Sequence, residues 1–572
     1  MKKILTLSVL GMLAMTASAQ WTDNFDTPQE LIPNTENSYG HAVCTNAAGQ
    51  VYYLYMHPNL SQASDEEDIQ NVVYEWRLQG FDVQGNKLFG ELGKLISDYD
   101  NLSYSVFNDY MMVDRDGNAV FAVPDQRYGT GMSLTAYKVS PTGEMLWGEE
   151  GIALDGKETA KLKTSTHVVQ LENGSYVFTW VNSGNEIDDA NACLQRVSAD
   201  GKLLWNDADT RLIDDKSPYN YSWLVNAGKN QVIQVYTKGS GQELYARKID
   251  VTGESLWSKD TRIYRAGWGS IPIWTIIEVH PSGDGGVIVS WNDDRDASNY
   301  DKAYLSYVTS NGKLGFSGQS DNGDVRLGYV DGHRALNVTC MADPSGDGFI
   351  AAWREVDRDQ RFQQIRVQKV DLKGNLVWAE DGVAINEFEA ASYGYISISS
   401  GLSCEATVFY MDHKQNFGDT DIKTYTFNTI SGEAINSLQP ATLNTIAHER
   451  GALEVCNAQT ARCWYLNWTD DGPSQGDNPD DSLKGFNYIQ RLMYDGTTGV
   501  QAVDAQTLRA VYAGGRFLLP AGADIEIFNM QGQRVASLDN CPQTLGWTPA
   551  VNGVYLAKVT VDGNSQTLKI VK

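Results

Sequence analysis

The sequence predicts an all-β protein: an eight-bladed β-propeller followed by a small β-sandwich. Three observations carry this prediction. The chain of 572 residues contains 53 glycines and 29 tyrosines, a composition that favours turns and strands. A glycine turn followed by an aromatic residue recurs about every 60 residues, which is the signature of a repeat architecture. Each repeat also holds four short alternating segments. The repeat glycines are Gly85, Gly143, Gly201, Gly253, Gly312, Gly374, Gly432 and Gly496.

Residues 1–19 form a predicted signal peptide. Lys2 and Lys3 precede an apolar stretch over residues 4–15, and Ala17-Ser18-Ala19 supplies small residues at a cleavage site. No later segment approaches the roughly 18 uninterrupted apolar residues of a transmembrane helix. We therefore expect an exported chain without a transmembrane segment, located at the cell surface or outside the cell after cleavage.

Residues 20–504 contain the repeats. Within one period, an apolar strand is followed by a turn such as "DPSGDG", a strand such as "FIAAW", a polar loop, an alternating strand such as "IRVQKV", and the glycine turn with a short last strand. Four strands in one unit predict a propeller blade. Solenoids are the main alternative, but their repeats are shorter and hold no four-stranded meander.

The two ends of the repeat region predict how the ring closes. The eighth repeat, "DGTTGV", lacks the aromatic residue, whereas the mature N-terminus "QWTDNFDTPQELI" matches "LWNDADTRLI" of residues 204–213. Trp21 therefore takes the place of the missing tryptophan, and the N-terminal segment is predicted to be the outer strand of the last blade. Such closure removes free sheet edges.

The aromatic residue after six of the eight turns has a predicted structural role; the seventh repeat has Asn436 instead, and no reason for this exception is apparent in the sequence. Glycine tolerates the positive φ of a tight hairpin, and a large ring on the outgoing strand can wedge between neighbouring sheets. The predicted docking residues are Trp21, Phe89, Trp147, Trp205, Trp257, Phe316 and Trp378.

Two of these repeats, "KIDVTGESLW" and "KVDLKGNLVW", resemble the tryptophan-docking repeats of the eight-bladed quinoprotein dehydrogenase propellers and of their cofactor-free relatives in outer-membrane assembly. The resemblance covers eight short stretches and implies the fold. The dehydrogenases as a family use an adjacent cysteine pair and a calcium site beside the quinone. This chain contains no Cys-Cys pair, so the resemblance carries no cofactor to it.

Residues 505–572 leave the period and are predicted to form a β-sandwich. This stretch resembles the C-terminal sorting domain of type IX secretion cargo in Bacteroidetes, through "IEIFNMQGQRV", "NGVYLAKV" and the terminal "LKIVK". The resemblance implies a partner, the type IX secretion machinery, and passage through the outer membrane. An ordinary terminal β domain is the alternative.

Charge and cysteine content limit the partners further. A net charge of −27 without a basic cluster argues against nucleic acid binding. Seven cysteines in an exported chain leave at least one that is unpaired or bridges to another molecule. Cys456 and Cys463 flank "NAQTAR", a predicted hairpin turn, and are candidates for a disulfide; buried thiols are the alternative.

The long loops are expected on one face of the ring, and their carboxylates suggest calcium. The best candidate for a calcium site is "DDRDASNYD", although it lacks the complete spacing of a calcium-binding loop. The alternative is that these carboxylates are simply solvated charges on a loop. The candidate ligands are Asp293, Asp294, Asp296 and Asp301.

Aromatic and basic residues in the segments that enter the innermost strands are candidates for a ligand site at the mouth of the ring. Aromatic rings can stack on sugars, and arginine can hold a carboxylate with two hydrogen bonds. Packing between loops is the alternative. The candidates are Tyr219, Tyr221, Trp223, Arg265, Trp268, Trp274, His333, Arg334, His448 and Arg450.

No motif for a catalytic serine, metalloprotease or redox site occurs in the sequence. The first functional hypothesis is therefore a cell-surface binding or scaffold propeller for a glycan, a peptide or a surface protein. The alternative is a polysaccharide-degrading enzyme with acids in the central funnel. A quinone- or metal-dependent oxidoreductase is a third hypothesis that rests on fold analogy.

Overall fold

In the part of the chain that the computed structural model describes, the secondary structure is β-strand, and no helix there is long and apolar enough to cross a membrane. The predicted signal peptide lies outside that part. The described residues are 21–22, 24–32, 39–59, 73–100, 111–129, 131–155, 162–183, 190–205, 210–212, 219–239, 243–265, 271, 275–295, 298–320, 322–402, 404–413, 419–435, 439–472, 486–496, 510–513, 516–520, 522–529, 533–549, 551, 553–561 and 564–571.

Eight antiparallel sheets, each with a path of four strands, follow one another along the repeat region. Sheet 1 consists of β2 (Tyr39–Thr45), β3 (Val51–Pro58), β4 (Tyr74–Phe81) and β5 (Lys94–Ser97). Sheet 2 consists of β6 (Met112–Val113), β7 (Ala119–Asp125), β8 (Ser133–Val139) and β9 (Ile152–Ala153). Sheet 3 consists of β10 (Leu162–Gln170), β11 (Tyr176–Ser183), β12 (Asn191–Val197) and β13 (Thr210–Leu212). Sheet 4 consists of β14 (Tyr219–Asn226), β15 (Val232–Lys238), β16 (Glu243–Ile249) and β17 (Thr261–Tyr264).

The other four sheets repeat the same meander. Sheet 5 consists of β18 (Glu278–Pro281), β19 (Val287–Asp293), β20 (Lys302–Val308) and β21 (Asp324–Arg326). Sheet 6 consists of β22 (His333–Ala342), β23 (Gly348–Asp357), β24 (Phe362–Asp371) and β25 (Val383–Ala384), with β26 (Glu389–Ala390) also on β24. Sheet 7 consists of β27 (Ser392–Ser400), β28 (Glu405–His413), β29 (Thr420–Asn428) and β30 (Ala441–Thr442). Sheet 8 consists of β31 (Glu449–Ala458), β32 (Cys463–Gly472), β33 (Phe486–Met493) and the N-terminal β1 (Gln29–Glu30).

Sheet 8 joins the two ends of the repeat region. β1 pairs antiparallel with β33, with Gln29 opposite Ile489 and Glu30 opposite Tyr488. The N-terminal segment therefore supplies the outer strand that the eighth repeat lacks, and it covers an edge that β33 would otherwise expose.

The sheets form a closed cycle of packing contacts. Every sheet shares an apolar core with the next one along the chain, from sheets 1 and 2 to sheets 7 and 8. Sheet 8 in turn shares a core with sheet 1, where Tyr55 and Phe81 meet Tyr465 and Ile489, with Trp21 buried among them. Each sheet thus buries both faces.

The aromatic residues after the glycine turns connect neighbouring sheets. Trp147 donates from Nε1 to the carbonyl of Ala199 at 3.1 Å, and Trp205 donates to the carbonyl of Val251 at 2.8 Å. Trp21, Trp257 and Trp378 make the equivalent bonds to Val83, Ser310 and Ile430. Phe89 and Phe316 pack in the same way against Gly143 and Gly374.

The turn glycines are needed for this docking. Gly201 has a φ of +87°, and a Cβ built on it would lie 2.8 Å from Cδ1 of Trp147. Its backbone conformation and its contact with the indole therefore both exclude a side chain.

The C-terminal residues form two further sheets around a core of their own. The three-stranded sheet consists of β34 (Val511–Ala513), β35 (Arg516–Leu518) and β38 (Thr544–Gly546). The four-stranded sheet consists of β36 (Ala523–Asn529), β37 (Arg534–Cys541), β39 (Val554–Val561) and β40 (Asn564–Val571).

The predicted disulfide between Cys456 and Cys463 is not formed, because all seven cysteines are free. The hairpin register places Cys456 opposite Tyr465 and Cys463 opposite Ala458. The two thiols are therefore diagonal to each other rather than paired across the strands, and Cys456 donates instead to the carbonyl of Val43 at 3.1 Å.

Candidate functional site

First strands of neighbouring sheets contact one another along the cycle. β14 contacts β10 and β18, β22 contacts β18 and β27, and β31 contacts β27 and β2. We call the space that these strands enclose the central funnel. The antiparallel register places the start of each first strand beside the end of the second strand, and we call this end of the sheets the funnel mouth.

Irregularities in the first strands shape this funnel. Six of the eight strands carry a register shift near the mouth, in sheets 1, 3, 4, 6, 7 and 8. Non-glycine residues with positive φ occupy four of them: Ser165, Asn337, Tyr395 and Ala452. Bulges redirect the following side chains and often adjoin functional sites.

Two neighbouring first strands carry an aromatic cluster, and Trp223 also packs against the core between sheets 4 and 5. Tyr221 and Trp223 on β14 stack with ring centroids 5.7 Å apart, and the ring of His167 on β10 lies 6.4 Å from that of Trp223. All three side chains are half-buried. Burial lowers the pKa of His167 to about 3, so this ring is neutral at physiological pH. We call these three residues the aromatic wall.

Sheet 8 carries an acid on the opposite side of the cycle. Glu454 follows the bulge of β31 and its side chain is exposed. Removal from bulk water nevertheless raises the pKa of Glu454 to about 7. A hydrogen bond from the backbone of Val43 has the opposite effect and lowers this pKa. The carboxyl group of Glu454 is therefore accessible, but the surrounding protein removes much of its hydration.

A cationic group lies near the seam of sheets 6 and 7. Arg354 donates to the carbonyl of Tyr393 at 2.7 Å, but its buried Nε has no hydrogen-bond partner, and no carboxylate of the described chain forms an ion pair with it. Burial and the charge of Arg334 lower the pKa of Arg354 to about 10. Burial, followed by Arg354, also lowers the pKa of His413. The exposed ring of Tyr395 lies 6.3 Å from the His413 ring.

The basic residues predicted at the mouth are largely held by acids. His333 Nδ1 lies 2.6 Å from Glu355, and its ring stacks on Phe388 at 4.5 Å. Arg334 Nε donates to Asp301 at 2.9 Å. The bond from Arg334 to Asp301 joins sheet 6 to sheet 5, whereas His333 and Glu355 both lie in sheet 6. A ligand would have to break these contacts to bind His333 or Arg334.

The predicted pair His448 and Arg450 has the same structural role in sheet 8. Asp470 accepts from His448 at 2.8 Å and lies 3.0 Å from Nε of Arg450. Arg450 is buried and also donates to the carbonyl of Thr420, which fixes sheet 7 to sheet 8. The alternative of packing between loops therefore describes these residues better than ligand binding.

Other predicted ligand residues are only partly described. Arg265 is exposed after β17. Tyr219 begins β14, but its side chain lies outside the described part, as do the whole of Trp268 and Trp274.

The three described calcium candidates are each held by a different partner. Asp293 accepts from Nε of Arg295 at 2.9 Å, Asp301 is bound by Arg334, and Asp294 accepts from the backbone of Asn299 at 2.8 Å. Asp296 lies outside the described residues. Asp293, Asp294 and Asp301 thus already have partners within the protein. Within the described chain, no three His, Cys, Asp or Glu residues are placed to hold a metal.

Four residues of the funnel and its mouth were not predicted: His167, Arg354, His413 and Glu454. Their sequence neighbours resemble ordinary alternating strand residues. His167 and Glu454 each directly follow a bulge, and periodicity does not reveal bulges.

No protein-family model and no curated protein matches the sequence. Among solved structures, the polysaccharide lyase Uly1 has 10% identity and a TM-score of 0.42, over 82% of this chain and 100% of that chain. A protein of unknown function from Dyadobacter fermentans has 10% identity and a TM-score of 0.36, over 81% and 97%. An α-L-arabinofuranosidase from Fusarium graminearum has 13% identity and a TM-score of 0.29, over 58% and 92%. All three scores lie below 0.5, so we infer function only from the side chains of this chain.

Proposed function

We propose that this protein is an exported eight-bladed β-propeller that binds a glycan in its central funnel. The aromatic wall is the observation that carries this proposal. Tyr221 and Trp223 offer stacked, half-buried rings that suit the apolar faces of a sugar. The closed cycle of eight sheets supports the propeller, and the two C-terminal sheets around one core support the sandwich.

Substitution of the aromatic wall tests glycan binding. The mature chain, residues 20–572, is screened on a glycan array with and without calcium, and the affinity for the best ligand is then measured by calorimetry. We expect Trp223→Ala and Tyr221→Ala each to weaken binding roughly tenfold or more, because central aromatic contacts dominate binding energies.

Trp547→Ala is the matched control, because Trp547 packs within the C-terminal domain, against Tyr512 and Phe517. This variant should bind as the wild type does. A chain that binds no glycan, or a Trp223→Ala chain of normal melting temperature and unchanged affinity, would contradict the proposal.

Glu454 favours a second candidate function, the degradation of a polysaccharide. A carboxyl group that keeps its proton up to about pH 7 can act as a general acid. Cleavage should therefore fall as the pH rises through 7, since the carboxyl then loses its proton. Glu454→Gln should abolish cleavage and preserve binding, as measured by release of reducing ends. Cleavage at the wild-type rate by Glu454→Gln would exclude this role.

We further propose that residues 505–572 direct the chain to the type IX secretion machinery and so to the cell surface. Deletion of these residues should leave the ring folded, because the C-terminal core contains no residue of the eight sheets. The truncated protein is expected to accumulate in the periplasm, as measured by fractionation and surface labelling. Normal surface display of a folded, truncated ring would rule out the sorting role.

A further inference from the structure

One position of the repeat holds a lysine in three sheets. Lys138, Lys248 and Lys369 stand on the third strands of sheets 2, 4 and 6, at the same distance before the repeat glycines Gly143, Gly253 and Gly374. All three residues are buried. The surroundings of the same buried lysine can therefore be compared in three sheets.

In sheets 2 and 6, an aspartate neutralises this lysine. Lys138 Nζ lies 3.1 Å from Asp114, the first residue of the turn between the first and second strands. Lys369 pairs with Asp343 at the same turn position and with Asp347 at 2.8 Å. A buried ammonium group needs such a partner, since burial of an unpaired charge is costly.

Sheet 4 departs from this pattern. The equivalent turn residue is Ala227, whose backbone makes the same turn bond to Gln231 that Asp114 makes to Asn118. Lys248 Nζ reaches only the carbonyls of Gly285 and Ser310, each at 3.3 Å, and no carboxylate in the described chain forms an ion pair with it. Burial, followed by the charge of Lys229, lowers the pKa of Lys248, and the charge of Asp284 acts in the opposite direction.

A cavity lies beside this lysine, at the end of the ring opposite the funnel mouth. It has a volume of about 430 Å³ and is lined by residues of sheets 4 and 5. Lys229, Lys248 and Asn311 contribute polar groups, and Trp257 contributes a ring. Asp284 also lines it, but its oxygens already accept from Ser282, Gly286 and Tyr307. This volume is within the range of small-molecule sites.

We propose that this cavity binds a small organic oxyanion, a carboxylate or a phosphate ester, whose charge takes the place of the aspartate missing at position 227. Lys248 and Lys229 supply the positive charge, and Trp257 packs against the body of the ligand. The site is separate from the aromatic wall and does not depend on the proposed glycan binding.

The repeat itself provides the test. Ala227→Asp installs the carboxylate that sheets 2 and 6 already have, and Lys248→Met removes the charge. Binding of glucuronate, glucose 6-phosphate and neutral glucose to the mature chain is measured by calorimetry at constant ionic strength. Wild-type protein should bind at least one of the two anions and not glucose. Preference for glucuronate would identify a carboxylate site, and preference for glucose 6-phosphate a phosphate site.

Both variants should weaken anion binding at least tenfold. Ala227→Asp should also raise the melting temperature, which shows that the loss is not caused by unfolding. Lys202→Met, at an exposed lysine paired with Asp200, is the control and should bind as the wild type does. Absence of anion binding to the wild type, or unchanged binding by the folded Ala227→Asp variant, would overturn the proposal.

Discussion

Deletion of residues 20–33 should lower the melting temperature of the ring sharply. The segment supplies β1 and four buried side chains, Trp21, Phe25, Leu31 and Ile32, to the cores that join sheet 8 to its neighbours. Trp21 alone donates to the carbonyl of Val83 at 3.2 Å and packs against Phe81 and Tyr465. Loss of a buried tryptophan costs about 3–5 kcal/mol, so Trp21→Ala should show a substantial part of the effect.

Leu204→Ala is the control for this prediction, because Leu204 is exposed on the hairpin next to the docked Trp205. It should change the free energy of unfolding by no more than about 0.5 kcal/mol. Calorimetry on the deletion, Trp21→Ala and Leu204→Ala variants should find the lowest melting temperature for the deletion and the highest for Leu204→Ala. A deletion that melts at the wild-type temperature would refute closure of sheet 8 by the N-terminal segment.

Gly201→Ala should have the second large effect on stability. The residue has a φ of +87°, where a side chain costs about 1–2 kcal/mol. The added Cβ would also lie 2.8 Å from Trp147 and 3.0 Å from Ile152, and overpacking of this kind typically costs a further 1–3 kcal/mol. Denaturant unfolding should therefore show a loss of about 2–5 kcal/mol.

Gly174→Ala separates the two contributions. Gly174 lies in the same sheet at a φ of +83°, but a Cβ added there would have its nearest neighbour 4.0 Å away, on Ala199. This variant should lose only the backbone contribution. Equal losses for the two variants would mean that contact between the glycine turn and the indole does not limit stability.

The arrangement of the sheets could be predicted from the sequence because each copy repeats a steric requirement. A tight hairpin needs a glycine, and a docked ring leaves no room for a side chain there, so both residues recur together. The place of β1 could be predicted because Trp21 supplies the aromatic residue that is missing from the eighth repeat. The diagonal offset of Cys456 and Cys463 depends on hairpin register, which the spacing of two cysteines does not determine.

The site was less accessible to sequence analysis. Tyr221 and Trp223 were predicted as aromatic residues of the mouth, and they lie on a first strand beside His167. His333 and Arg334 were also predicted there, but Glu355 and Asp301, which are distant in sequence, hold them. Ion pairs of this kind depend on the tertiary fold, and so do the separate partners of Asp293, Asp294 and Asp301.

Glycan binding in the central funnel is tested most directly by a crystal structure of the mature chain with the tightest-binding oligosaccharide from the array. We predict a sugar ring stacked on Tyr221 or Trp223 inside the central funnel, with His167 alongside. An oligosaccharide bound only on the outer surface of the ring, with the aromatic wall untouched, would contradict this prediction.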